Sequence, residues 1–406
     1  MMAPMFLEKY EELVETEVIE EIKTLAGELK GVSLQHINST AVGGGVAEIL
    51  KTLVPLMEEV GLNVQWTVME GDEEFFQVTK TFHNAFHGQP VNITQEMFEI
   101  YREVNRRNFR LIDPDVDFVI IHDQQPLGLV QAREGNQGRW IWYCHIDPTG
   151  VLEKLWNFMR PLAARFDAAI YHLPEYVKGV ARREYVMPPA IDPLSEKNRP
   201  VTEEEKKAVL KKLGIDEDKP IILQVSRFDR LKDPVGVIEV YRLVKRNYSC
   251  QLVLAGGEAS DDPEGIQVLR EVLKTAGDDP DIHVLALDPK SDLEINVLQQ
   301  SAAVVVQKSV REGFGLTATE ALWKGRPVVT TGVGGLGRQV IHGKTGLVTT
   351  TTEDMASAVE RLLADRAYAA ILGAAGKEHV RSNFILPVYL RSWLRLLRDL
   401  HRQGEG

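Results

Sequence analysis

The sequence predicts an α/β protein made of two doubly wound, Rossmann-like domains facing each other across a cleft. Three observations carry this. Short apolar stretches with strand character alternate with apolar-periodic helical stretches along nearly all of the 406 residues. The alternation breaks once, at Met187–Pro200, where MPPAIDPLSEKNRP holds four prolines in fourteen residues, and then restarts. The strands after the break are almost wholly apolar, as central parallel strands buried on both faces must be.

In order, residues 6–30 read as a Glu-rich amphipathic helix preceding the first strand, Val32–Asn38. A Gly-rich turn and a helix from about Val46 to Val60 lead to a second strand, Leu62–Met69, which alternates apolar and polar residues. Two helical stretches precede the strands Asp117–Asp123, Arg139–Asp147 and Asp167–His172, with a helix between the last two. The proline-rich segment then reads as an interdomain linker and hinge. Beyond it come the strands Ile221–Arg227, Gln251–Gly257, Ile282–Leu287, Ala302–Gln307 and Pro327–Thr331, each separated by a helical stretch. Leu390, Trp393, Leu394, Leu397 and Leu400 form one apolar stripe on a closing helix. The domains expected are 1–190, 191–384, and a tail at 385–406 that packs back on the first.

Composition narrows the class. The chain is 44% hydrophobic and 26% charged, which suits a folded globular protein and excludes a disordered or fibrous one. A formal charge of −12 repels nucleic acid and anionic membrane, so neither is an expected partner, and a phosphorylated ligand would need a local basic spot. Cys144 and Cys250 have no metal or CxxC spacing, which fits a reduced, cytoplasmic setting. Charge at Glu8 and Lys9 comes too early for a signal peptide, and no run approaches the ~20 apolar residues of a membrane span.

Ligands of open α/β sheets bind at the carboxyl ends of the strands, so the chemistry is sought in the following loops. Ser39–Gly45 is Gly-rich and opens a helix, but it lacks both GxGxxG and the P-loop spacing. It suits close approach to an anion and equally a tight turn without a ligand. In Ser226–Pro234, Arg227 offers a fork of donors and Lys232 a point charge, which together could grip a diphosphate; solvated loop charges are the plain alternative. In Glu312–Glu320 the two carboxylates lie up to ~12 Å apart if the segment is helical. That exceeds the ~5–9.5 Å of paired glycosidase acids, so they would address different parts of one extended ligand. Sugar and ribose hydroxyls are natural partners of such acceptors. The plain reading of Glu320 is a first-turn acid favoured by the helix dipole. His145, in Trp142–Asp147, is either a core histidine or a residue at the ligand edge, and Asp123–Gln125 offers a similar polar cluster.

In this order and context, Arg227…Lys232 and Glu312-x7-Glu320 resemble the donor site of the retaining GT-B glycosyltransferases of family four. INSTAVGGGVAEIL, FFQVTKTFHNAFHG, FVIIHDQQPLGLV, CHID, YHLPEYV and PPAIDPLSEKN narrow the resemblance to the trehalose glycosyltransferring synthases, whose close relatives include trehalose phosphorylases. The resemblance implies the GT-B fold and a reversible, retaining reaction making α,α-trehalose from a nucleoside-diphosphate glucose and glucose. The nucleotide is left open among uridine, adenosine and guanosine. Carried over residue by residue, Arg227 and Lys232 would hold and neutralise the diphosphate, and Gly44 and Gly45 would face the donor phosphates. Glu320 would take the ribose hydroxyls. Glu312, with Gly313, Phe314, Gly315, Leu316 and Thr317, would address the donor glucose and its distal phosphate. His145 would lie near the sugar's 6-hydroxyl, and Asp123, Gln125 and Asp147 would hold the acceptor. Two positions depart from the relatives, Tyr143 in place of Arg and Gln124 in place of Pro, both near the expected acceptor pocket. No metal site or cofactor is expected, Mg²⁺ entering only alongside the nucleotide, and a homodimer is the oligomer expected. The competing readings are a trehalose phosphorylase, a family-four enzyme with another acceptor, a solute-binding protein and a nucleotide-sugar epimerase.

Overall fold

The structure, a computed structural model, describes residues 7–42, 45–134, 136–257 and 263–402. The chain divides into two compact units, Met1–Ala190 with Leu386–Gly406, and Ile191–Ile385. Among the described residues each unit holds one six-stranded, wholly parallel sheet.

The first unit contains β1 (Ser33–Asn38), β2 (Asn63–Val68), β3 (Phe118–His122), β4 (Arg139–Cys144), β5 (Ala168–Tyr171) and β6 (Glu184–Val186), in the order β2-β1-β3-β4-β5-β6. Phe118, Val119, Ile120 and Ile121 are fully buried, since helices cover both faces of a central parallel strand. One face packs on an aromatic core that includes Phe75, Phe82, Phe86, Tyr101, Trp140 and Trp142. The C-terminal helix Leu386–His401 lies against the helices Thr16–Glu28 and Gly45–Glu59. Its stripe of Leu390, Trp393, Leu394 and Leu397 is fully buried, and Arg395 donates to both carboxylate oxygens of Glu21 at 2.6 Å. Trp393 touches the rings of His36, Tyr143 and Tyr389. Trp393→Ala is therefore expected to cost about 3–5 kcal/mol in urea unfolding, because a large cavity would open where nothing can collapse into it.

The second unit contains β7 (Ile221–Val225), β8 (Gln251–Gly257), β9 (Ile282–Leu287), β10 (Val304–Gln307), β11 (Val328–Thr330) and β12 (Leu347–Val348), in the order β12-β11-β10-β7-β8-β9. The strand order reverses between β7 and β10, so the loops leaving their carboxyl ends lie side by side.

Four features differ from the sequence reading. β6 and β12, of three and two residues, were not expected, being too short to show a period. The N-terminal helix is broken: a 3₁₀ turn at Leu7–Tyr10 precedes the helix Thr16–Glu28. The strand expected over Arg139–Asp147 ends at Cys144. The proline-rich segment is no bare tether either, for its second part is built into the second unit. Ile191 donates its N–H to Phe384 at 2.9 Å, and buried Asn198 accepts from Lys324 Nζ at 2.9 Å. Among the described residues no helix is long and apolar enough to cross a membrane.

Candidate active site

The strand order of the second unit brings together side chains that are distant in sequence. Lys232, on the loop after β7, and Glu312, on the loop after β10, are 80 positions apart, yet Lys232 Nζ donates to Glu312 Oε2 at 2.5 Å. The side chains keep only 17% and 11% exposure. Further bonds fix the two loops to each other. Val310 N–H donates to Leu231 O at 2.8 Å, and Lys308 pairs with Asp233. Gln224, inside β7, donates to Lys232 O at 2.8 Å. Arg227 stands more freely: its side chain is 60% exposed and its guanidinium donates to Asp229 Oδ2 at 3.2 Å.

After Glu312 the chain turns at Gly315, whose φ of +87° is in the left-handed region. A Cβ there would lie 2.9 Å from Leu336 Cδ2 and 3.2 Å from Glu312 Cγ, so both the turn and the packing call for glycine. The helix starts only at Leu316, so Glu312 is outside it and the helical spacing considered for the two carboxylates does not apply. Leu316 and Thr317 open the helix, where first-turn amides lack intrahelical acceptors. Gln339 Nε2 holds Phe314 O at 2.6 Å, and Gly335 N–H donates to Gly313 O at 3.3 Å. Glu320 is the fifth residue of this helix, past the first turn, so the dipole does not explain it. It is 1% exposed, with Oε1 3.2 Å from Lys197 Nζ and Oε2 accepting from Gln299 at 2.9 Å.

In the first unit, Asp123 directly follows β3 with φ +65°, uncommon for a residue other than glycine. Its Oδ1 accepts from the His145 main-chain N–H at 2.7 Å. His145 is not the lone histidine the sequence suggested. Its Nε2 shares a hydrogen bond with His122 Nδ1 at 2.9 Å and its Nδ1 with His172 Nε2 at 3.1 Å. A sugar hydroxyl reaching this ring would have to compete with one of those bonds. Tyr143 stacks on His145 with 3.9 Å between centroids and donates its hydroxyl to Met187 O at 2.6 Å. Both amide atoms of buried Gln124 and Oε1 of Gln125 have no hydrogen-bond partner among the described residues. Asp147 is engaged locally, its Oδ1 accepting from Thr149 N–H and Oγ1 at 2.8 and 2.5 Å. Gly45 is the exposed first residue of the helix Gly45–Glu59, and Gly44 lies outside the described residues.

Against known proteins, the family described as "Trehalose synthase, N-terminal domain" matches residues 36–178, and "Glycosyl transferases group 1" matches residues 205–379. The trehalose synthase of Rubrobacter xylanophilus is 45% identical over 404 residues, covering 97% of each chain. That of Pyrococcus horikoshii is 43% identical over 400 residues, covering 97% of this chain and 96% of the other. The chain belongs to the trehalose synthase family of glycosyltransferases. The solved α,α-trehalose 6-phosphate synthase of Burkholderia multivorans shares the GT-B fold, with a TM-score of 0.75 at 16% identity over 92% of this chain and all of the other.

Within this trehalose synthase family member, the histidines show how burial acts on charge. Desolvation lowers His36 and His172 from 6.5 to about 3 and holds His122 and His145 well below the ordinary value. Histidines in the unfolded chain titrate near 6.5, so between about 3 and 6.5 the unfolded state binds more protons. Stability from these four rings is thus complete above about pH 6.5 and is lost as pH falls through the window. Asp123 opposes this: burial raises its carboxyl to about 7, so there the folded state holds the extra proton. Four imidazoles outweigh one carboxyl. Urea unfolding is expected to give lower stability at pH 5 than at pH 7.5, and equal or higher stability at pH 5 would contradict the assignment.

Two features escaped the sequence reading. One is the Lys232–Glu312 pair, whose signal is the strand order. The other is the histidine set, whose signal is one histidine inside β1 and one at or just past the ends of β3, β4 and β5 (QHIN, IHD, CHID, YHL). Among the described residues no group of three or more His, Cys, Asp or Glu side chains is arranged to hold a metal ion.

Proposed function

We propose that the protein is a retaining glucosyltransferase, converting a nucleoside-diphosphate glucose and glucose into α,α-trehalose and nucleoside diphosphate, reversibly. The observation that carries this reading is the cluster at the β7–β10 switch point. There Lys232 is tied to Glu312 beside the opening turn of the helix Leu316–Trp323, with Arg227 on the same loop. A cation pair and a helix N-terminus on an acidic protein suit a diphosphate. In this reading Arg227, Lys232 and the amides after Gly315 take the diphosphate. Glu320 takes the ribose hydroxyls by exchanging contacts with Lys197 and Gln299. Glu312 and Gly313 face the glucose.

The reaction breaks the bond from the anomeric carbon to the phosphate oxygen and forms one to the acceptor hydroxyl oxygen on the same face. The acceptor's proton passes to the departing phosphate. The protein's part is to hold the partners and to stabilise the charge growing on the leaving group, which Arg227 and Lys232 do without a metal ion. Mg²⁺ enters only as the nucleotide's companion. Asp123, Gln125 and Asp147 hold the acceptor. The unpartnered amide atoms of Gln124 and Oε1 of Gln125 support this, since buried polar groups cost free energy until a hydroxyl meets them.

The test is to incubate the protein with trehalose and a nucleoside diphosphate, and in parallel with trehalose and phosphate. Nucleotide-sugar formed only with the nucleoside diphosphate is the expected result, and it names the base. Glucose 1-phosphate formed from phosphate alone would make the protein a phosphorylase and leave Glu320 without its ribose.

A further inference from the structure

Four histidines stand in line across neighbouring strands of the first unit: His36 in β1, His122 ending β3, His145 just past β4 and His172 just past β5. His36 Nδ1 meets His122 Nε2 at 2.9 Å, His122 Nδ1 meets His145 Nε2 at 2.9 Å, and His145 Nδ1 meets His172 Nε2 at 3.1 Å. The bonds run head to tail, always Nδ1 of one ring to Nε2 of the next. His36, His122 and His172 are 0%, 2% and 4% exposed, and His145 alone is half-buried. His36 and His122 stack at 5.2 Å between centroids, as do His122 and His145.

A neutral imidazole has one N–H and one lone pair. Each of the three contacts must contain a single proton, because two would clash and none would leave two lone pairs facing. If His36 donates through Nδ1, then His122 must carry its proton on Nδ1 as well, and the same follows for His145 and His172. If His36 accepts instead, all four protons sit on Nε2. Any mixture breaks at least one bond, and burial makes a broken bond costly.

We propose that His36, His122, His145 and His172 form one hydrogen-bonded unit with a single shared tautomer, in which the other three are positioning residues for His145. The neutral chain fixes which nitrogen of His145 carries the proton and holds its ring plane against Tyr143, so a hydroxyl that displaces one of its two ring partners meets an imidazole of fixed orientation and tautomer. The kinetic consequence rests on the proposed glucosyl transfer; the tautomer assignment does not.

The experiment labels the histidine rings of the full chain with ¹⁵N and reads long-range ring correlations, assigned by single substitutions. Four rings of matching tautomer in the wild-type protein at pH 7.5 are the expected result. Two rings with opposite tautomers, or one charged ring, overturn the proposal. His122→Phe keeps a stacked ring but removes both of its hydrogen bonds. It is expected to move His145 from a single-tautomer signature toward an averaged one and to lower kcat for transfer by up to about 10²-fold, with donor KM unchanged. An unmoved His145, or wild-type turnover in that variant, also overturns it. The wild-type spectrum decides the tautomer question even where the variant fails to fold. Matching tautomers in a wild-type protein that transfers no glucose would instead sink the reading of the reaction and leave the chain standing.

Discussion

Lys232→Met is expected to lower kcat for glucosyl transfer by at least about 10²-fold, the scale of losing one preorganised charge contact to a developing anion. It is also expected to destabilise the fold, because Glu312 would keep a carboxylate at 11% exposure with its 2.5 Å partner gone. The stability loss should be roughly 2 kcal/mol, below the value for fully buried pairs since both side chains retain some water contact. The double variant Lys232→Met/Glu312→Gln separates the two effects. Its urea midpoint should return toward wild type while kcat stays low. Recovery of activity in the double variant would mean that Lys232 serves only to neutralise Glu312.

Arg227→Ala is expected to lower turnover by a comparable factor of at least about 10² with a smaller fall in melting temperature than Lys232→Met. The difference lies in exposure. The Arg227 side chain is 60% exposed, so its removal opens no cavity, and Asp229, 12% exposed, loses a 3.2 Å contact on Oδ2 but keeps the Leu231 N–H on Oδ1 at 2.8 Å. A turnover equal to that of the wild type would remove Arg227 from the donor site.

These two side chains also mark how far the sequence could be read. The buried parallel strands were legible because a strand covered on both faces must be apolar along its length, as IILQV and VVVQ are. Arg227 and Lys232 were visible as a loop pair after such a strand. What the sequence did not yield was the partner of Lys232: Glu312 is in a different loop, and only the placing of β10 beside β7 makes them neighbours. The histidines hid for the same reason. Read singly, each is a histidine in or just past a strand, and only the lateral order β1-β3-β4-β5 brings their ring nitrogens within 3.1 Å. Ile191, in a segment that reads as a linker, pairs with Ile385 at the far end of the same unit, a contact that no local pattern encodes. Glu320 looked like an ordinary first-turn acid until the helix start at Leu316 moved it inside the helix, against Lys197 and Gln299.

The most direct test of the central claim is the forward reaction followed by NMR, with ¹³C-labelled glucose and each of UDP-, ADP- and GDP-glucose. The expected result is the paired anomeric signal of α,α-trehalose, with one label per disaccharide, appearing one-for-one with nucleoside diphosphate. Free glucose released from the donor without a disaccharide, or a disaccharide of another linkage, would contradict it.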